Sequence, residues 1–129
     1  GGYGQDDVTA FAMALTGWTV QPARLDGAGR FRFASAVHEP GARTVLGRRY
    51  AEDGEAQAAA ILRDLARHPA TARHVAFKLA RHFVADQPPE AAVEPLARVF
   101  LDTGGDLRAV ARSLVGLDAA WQEPAAKVK

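Results

Sequence analysis

The chain has 129 residues, of which 48% are hydrophobic and 24% are charged, and this length and composition predict one ordinary globular domain. Sixteen Lys and Arg residues nearly balance fifteen Asp and Glu residues, which argues against a general attraction to nucleic acid or to a membrane surface. The absence of cysteine excludes disulfides, iron–sulfur clusters and thiolate zinc sites.

Five segments carry apolar residues at the i, i+3, i+4, i+7 spacing of a helix with one buried face. Acidic residues in the first turn, prolines at first helical positions and an N-cap aspartate indicate where these helices begin. The expected starts, in chain order, lie near Asp6, Asp53, Pro69, Pro88 and Asp106. The first helix is expected to end at Gly17, and Pro95 is expected to kink the fourth helix.

Between the first and second helices the hydrophobic period changes from 3.6 to 2. Residues 30–35 alternate as a half-buried strand does, and residues 44–50 can return beside them. The tetrapeptide EPGA between them has Pro40 and Gly41 at the centre, as in a type II turn. The predicted fold is therefore mainly α, a five-helix bundle-like domain with one two-stranded β-hairpin inserted between helices 1 and 2.

The third helix is apolar over more than half of its circumference. One stripe contains Ala72, Val75, Ala76, Leu79 and Phe83, and Phe77 lies on a second stripe beside it. Such a helix is normally central, so helices two, four and five are expected to pack around it. Phe77 is then expected either to be buried against the hairpin aromatic residues Phe31 and Phe33 or to be exposed where the missing half of the protein docks, and burial is the favoured prediction.

The predicted hairpin tip brings together the candidate catalytic residues His38, Glu39 and Arg43. His38 could act as a general base, Glu39 could orient it, and Arg43 could hold an anionic group. The alternative is a structural turn whose polar ends hydrogen-bond each other. A histidine beside an acid is a weak signal, and the structural alternative is the favoured one.

Neither a metal site nor a cofactor site is expected. His68, His74 and His82 are spaced by six and eight residues, whereas ligands on one helix normally lie three or four apart. The two glycine-rich segments, GGYGQ and DGAG, lack the strand–turn–helix context of a phosphate-binding loop.

A basic stretch from residue 63 to residue 82 contains one acid, Asp64, and five cations: Arg63, Arg67, Arg73, Lys78 and Arg81. It lacks interleaved exposed aromatics and any base-reading motif, which argues against the third alternative, nucleic-acid binding. A solvated or partner-facing helix surface is favoured instead.

Five motifs together resemble the C-terminal part of the bacterial family called domain of unknown function 1800 (DUF1800). They are, in order, DVTAFAMALTGW, FRF, HEPGARTVLG, HPATARHVAFKLARHFVADQPP and GGDLRAVARSLV. The resemblance implies a mainly helical portion of a longer polypeptide, without an established activity, substrate or cofactor. It also implies an upstream half that carries an aromatic-and-histidine motif. Glu39 replaces the usual Asp of the family and Arg43 the usual Lys, which argues against a tightly specified catalytic pair.

The interpretation favoured by these observations is a single helical domain over residues 1–129, the C-terminal fragment of a longer bacterial protein. It would act as a structural or interaction module against the missing N-terminal half. The alternative is a fragment of a hydrolase-like enzyme that uses His38, Glu39 and Arg43 on an anionic or carbohydrate substrate. No apolar run approaches the roughly 20 residues that span a bilayer, so no membrane partner is expected. The compartment stays open between cytoplasmic and exported.

Overall fold

The computed structural model describes residues 2–24 and 26–121, and the chain divides into two compact units, Gly1–Arg63 and Asp64–Lys129. The described residues form five α-helices and two small antiparallel sheets, which confirms the predicted mainly α class. The prediction of one domain over residues 1–129 stays a prediction. None of the helices in these ranges is long and apolar enough to cross a bilayer.

The first unit begins with helix α1 and continues through four short strands. The bounds are α1 Gln5–Ala14, β1 Trp18–Val20, β2 Phe31–Phe33, β3 Arg43–Val45 and β4 Arg48–Tyr50, followed by α2 Glu55–Ala66, which runs past the unit boundary. At the start of α1, Oδ2 of Asp7 accepts a hydrogen bond from the backbone N–H of Gly4 at 2.8 Å. α1 ends at Ala14, three residues before the predicted end at Gly17, which has a φ of +86°.

The predicted single hairpin is wrong in its strand pairing. β2 pairs with β1, where Trp18 lies opposite Phe33, and β3 pairs with β4, where Arg43 lies opposite Tyr50. The tight turn therefore lies within the segment 44–50 that was predicted to be one strand. EPGA instead lies in the connection between the two hairpins.

The β3–β4 turn uses Leu46 and Gly47, with φ values of +50° and +75°. Positive φ at both central residues is the geometry of a two-residue type I′ hairpin. A leucine rarely adopts this conformation, which explains why sequence patterning missed the turn. Its backbone N–H donates to Oδ1 of Asp7 at 2.7 Å, so the carboxylate that caps α1 also holds the strained turn.

Up to residue 121, the second unit contains three further helices followed by a short 3₁₀ turn. Its elements are α3 Pro69–Phe83, α4 Glu90–Asp102, α5 Leu107–Val115 and the 3₁₀ turn Asp118–Ala120. Pro69 is the first residue of α3, and Asp106 caps α5 by accepting from the N–H groups of Arg108 and Ala109. These boundaries confirm the predicted helix starts. The kink expected at Pro95, inside α4, stays a prediction.

Within this unit α4, not α3, is the central helix, because it packs on α3, on α5 and on the 3₁₀ turn. Five of its residues are buried: Ala92, Val93, Leu96, Ala97 and Phe100. The predicted central position of α3 is therefore wrong within the second unit, and the expected packing of α2 on α3 stays a prediction.

The face of α3 that joins the core is a line of alanines, Ala72, Ala76 and Ala80, spaced four residues apart. Small side chains allow close approach to α4, and the bulky residues on either side of that line are left nearer to solvent. Phe77 is accordingly 39% exposed and Phe83 is 57% exposed. The predicted burial of Phe77 is therefore wrong.

Candidate functional site

His38, the candidate catalytic histidine, lies in the first unit, and its side chain is only 7% exposed. Its Nδ1 lies 2.9 Å from the backbone carbonyl of Thr16, and its Nε2 lies 3.1 Å from Oε1 of Glu52. Because a carbonyl oxygen can only accept, Nδ1 of His38 carries the hydrogen of that bond. Each ring nitrogen thus has an oxygen partner within the unit.

Glu52 is the carboxylate that faces His38, and the sequence offered no signal for it because it lies 14 residues away. It also accepts hydrogen bonds from the backbone N–H groups of Gly54, at 2.9 Å, and Gly41. These two N–H groups, first that of Gly54 and then that of Gly41, lower the pKa of Glu52 below its ordinary value of 4.5, with a smaller contribution from His38. The side chain therefore ties the EPGA segment, His38 and the start of α2 together through one ionised group.

Glu39 is placed differently from the expected His38–Glu39 pair. The backbone N–H of Glu39 donates to Oγ1 of Thr16 at 2.7 Å, and Glu39 is exposed. The same hydroxyl donates to the carbonyl of Met13 at the end of α1, at 2.6 Å. Glu39 therefore contributes its backbone N–H group, and the carboxylate that faces His38 belongs to Glu52.

The side chain of Arg43 is hydrogen-bonded to the loop that precedes it. Its Nη2 donates to the backbone carbonyls of Glu39, at 2.8 Å, and Pro40, at 3.0 Å. The guanidinium also covers Gly41, where an added Cβ would lie 3.3 Å from Nη1. Its donors thus close the EPGA loop, in the manner of the structural alternative proposed from the sequence.

Gln57, in the first turn of α2, is a buried polar residue of the first unit, at 2% exposure. Its Nε2 donates to the carbonyls of Gly41, at 3.0 Å, and Ala51, at 2.9 Å, with a longer contact to Tyr50. Sequence patterning missed this residue because a glutamine beside alanines in a helix is normally solvated. Gln57 and Glu52 therefore hold Gly41 through its carbonyl and its N–H, respectively.

Gly17 packs closely against Phe33 and His38. A Cβ at Gly17 would lie 2.9 Å from the Phe33 ring and 3.1 Å from Cβ of His38, so the position requires glycine for space as well as for its positive φ. The rings of Phe33 and His38 lie 5.3 Å apart. We call Thr16, His38, Gly41, Arg43, Glu52 and Gln57 the loop cluster.

A concave surface of about 720 Å³ lies along the C-terminal half of α3 in the second unit. We call it the α3 groove. It is lined by three apolar residues, by four basic or histidine residues and by one acid: Val75, Leu79 and Phe83, then His74, Lys78, Arg81 and His82, and finally Asp86. It contains two of the three predicted helix histidines; the third, His68, caps α3 by accepting from Ala70 N–H through Nδ1.

The charges of the second unit divide into paired and unpaired groups. Arg73 binds Glu90 through two parallel hydrogen bonds, which lower the pKa of Glu90 below its ordinary value of 4.5. Arg98 pairs with Glu94 one turn away on α4, at 3.3 Å. Lys78 and Arg81 in the α3 groove, by contrast, form no ion pair with any residue of the ranges 2–24 and 26–121.

The described part of the chain contains no group of three or more His, Asp or Glu side chains placed to hold a metal ion. Of the histidines, His38 is occupied as described above, and the remaining three are exposed on α3 and at its N-cap.

Comparison with known protein families shows to which family the chain is similar. The model of a family described as "Protein of unknown function (DUF1800)" matches residues 1–129, the entire sequence. No curated protein and no solved structure matches the chain.

Proposed function

This chain belongs to the DUF1800 family, and we propose that within such a protein the domain is a structural and interaction module. Its partner, in this proposal, is the upstream part of the same polypeptide. The observation that carries the proposal is the α3 groove, where Phe83 is 57% exposed beside Lys78 and Arg81, two cations without an ion-pair partner in the described part of the chain. Apolar surface rimmed by polar groups is typical of interaction sites.

The loop cluster supports the same choice over the hydrolase-like alternative. A general base needs a ring nitrogen within hydrogen-bond reach of the proton that it removes, and an anion-binding arginine needs free donors. Both nitrogens of His38 have partners within the first unit. Nη2 of Arg43 is bonded to two backbone carbonyls, and its Nε has no partner in the described ranges but is buried away from an incoming anion. These contacts favour a structural role for His38 and Arg43, which hold the loop in place. His38, Glu39 and Arg43 would be catalytic residues only under the hydrolase-like alternative.

Site-specific photo-cross-linking in the intact protein tests the proposal. A photoreactive phenylalanine analogue replaces Phe83 in the α3 groove, and the matched control carries it at Arg98, an exposed position on α4. We expect a discrete cross-link from position 83 to the upstream part of the same polypeptide, and none from position 98. Equal, diffuse labelling from both positions would contradict the interaction module.

A further inference from the structure

We propose that the α3 groove binds an acidic amphipathic helix, that is, a helix with carboxylates beside an apolar stripe. This inference rests on the proposed function, and it adds the chemistry of the partner. It is drawn from three observations: the shape of the groove, the charges left unpaired on its wall and the pairing of the other cations nearby.

The shape fits the side chains of a helix. Val75 and Leu79 lie one turn apart on α3, and Phe83 follows one turn later, so the apolar floor runs along the helix axis. A partner helix that presents apolar residues at i, i+3, i+4 and i+7 places its side chains on such a floor at matching intervals. Val75 and Leu79 are only partly buried by the core, which leaves them surface to contribute.

The charges identify the partner as acidic. Arg73 and Arg98 already have carboxylate partners on α4, whereas Lys78 and Arg81 have none in the described ranges. Two unpaired cations beside an apolar floor attract carboxylates on a partner and repel a basic one. Asp86 lies at the end of the groove, so the two cations outnumber the acid on its wall.

The same charges disfavour two other occupants. A second copy that packs α3 against α3 brings Lys78 and Arg81 near their own equivalents, which is unfavourable for like charges. A lipid surface is normally recognised by clusters of about four to eight basic residues, and this wall has two unpaired ones. A concave, elongated floor also suits a helix better than a flat surface.

Three fluorescent model peptides, measured by anisotropy, test this inference. They share one leucine stripe at helical spacing and carry Glu, Gln or Lys at the flanking positions. We expect the Glu peptide to bind most tightly and to lose affinity as salt rises, since exposed charges are screened. The double variant Lys78→Glu and Arg81→Glu should weaken Glu-peptide binding about tenfold. The matched control Arg98→Glu lies off the groove and should leave binding unchanged, and circular dichroism should show that all variants fold.

Equal binding of the Gln peptide, or binding of none of the three, would overturn the acidic-helix inference. The proposed function would survive that result if position 83 still cross-links to the polypeptide, so the two failures are distinguishable. Vesicles that contain phosphatidylserine are tested as a further binding partner. If they bind with the same dependence on Lys78 and Arg81, while the Glu peptide does not bind, the groove recognises lipid and the inference is wrong.

Discussion

The two units differ in what their polar side chains do. In the first unit, Glu52, Arg43 and Gln57 have backbone groups of one loop as partners, and His38 is enclosed among them. In the second unit an apolar core holds the helices together, and Lys78 and Arg81, on a concave surface, have no ion-pair partner among the described residues. The histidine beside an acid in the sequence therefore lies in a hydrogen-bonded loop cluster, while the groove that we propose as a binding surface lies on a helix that was predicted to be central in the core.

The largest effect should come from the apolar core of the second unit. Leu96 on α4 is 0% exposed, so Leu96→Ala should destabilise that unit by about 2–5 kcal/mol through lost burial and a cavity. Leu101→Ala is the matched control on the same helix, because its side chain is 42% exposed. Urea unfolding followed by circular dichroism measures both. Equal losses would contradict the central packing of α4.

The first unit should depend on hydrogen bonds instead. Gln57→Leu keeps an apolar body of similar length but leaves the carbonyls of Gly41 and Ala51 without their donor, at a cost of about 1–3 kcal/mol. Gln5→Leu, at an exposed position at the start of α1, is the control and should change little. Amide hydrogen exchange can locate the loss. Unchanged protection of residues 40–52 in the Gln57 variant would show that the buried amide is dispensable.

Gly41 tests the backbone of the same loop. Its φ of +122° disfavours a β-branched residue, and a Cβ would approach Nη1 of Arg43. Gly41→Val should therefore destabilise the first unit by about 1–3 kcal/mol. Ala42→Val, at the adjacent exposed residue, provides the comparison. The prediction is wrong if the two valine variants unfold at the same temperature.

Acid should destabilise the first unit by protonating Glu52. Its pKa is lower in the folded chain than the ordinary 4.5, so its contribution to stability is complete above pH 4.5 and is lost as the pH falls through the folded value. Glu52→Gln should flatten this part of the acid response. Glu39→Gln should leave it in place, because that exposed carboxylate has no partner in the described ranges. Trp18 fluorescence in a Trp121→Phe background reports on the first unit alone, and identical acid curves for the two variants would contradict the role of Glu52.

The sequence predicted the helices well because their signals are local. The prolines at the starts of α3 and α4, the Asp106 cap and the apolar spacing all act within a few residues. The strand pairing failed because a leucine at positive φ hid the turn, which a carboxylate 39 residues away stabilises. Glu52 was missed for the same reason, since its contact with His38 depends on how the loop closes. Phe77 was misplaced because periodicity identifies an apolar face, while the alanine line on α3 decides which part of that face meets α4.

The most direct test of the contrast between the units is the rate at which the chain's four histidines react with diethyl pyrocarbonate near neutral pH. Mass spectrometry of the folded protein resolves each site. His38, with a side chain 7% exposed and both nitrogens occupied, should react slowest, and the exposed His68 and His74 should react fast. A His38 rate equal to that of His74 would contradict this account, because it would reveal an accessible ring nitrogen and favour the hydrolase-like alternative.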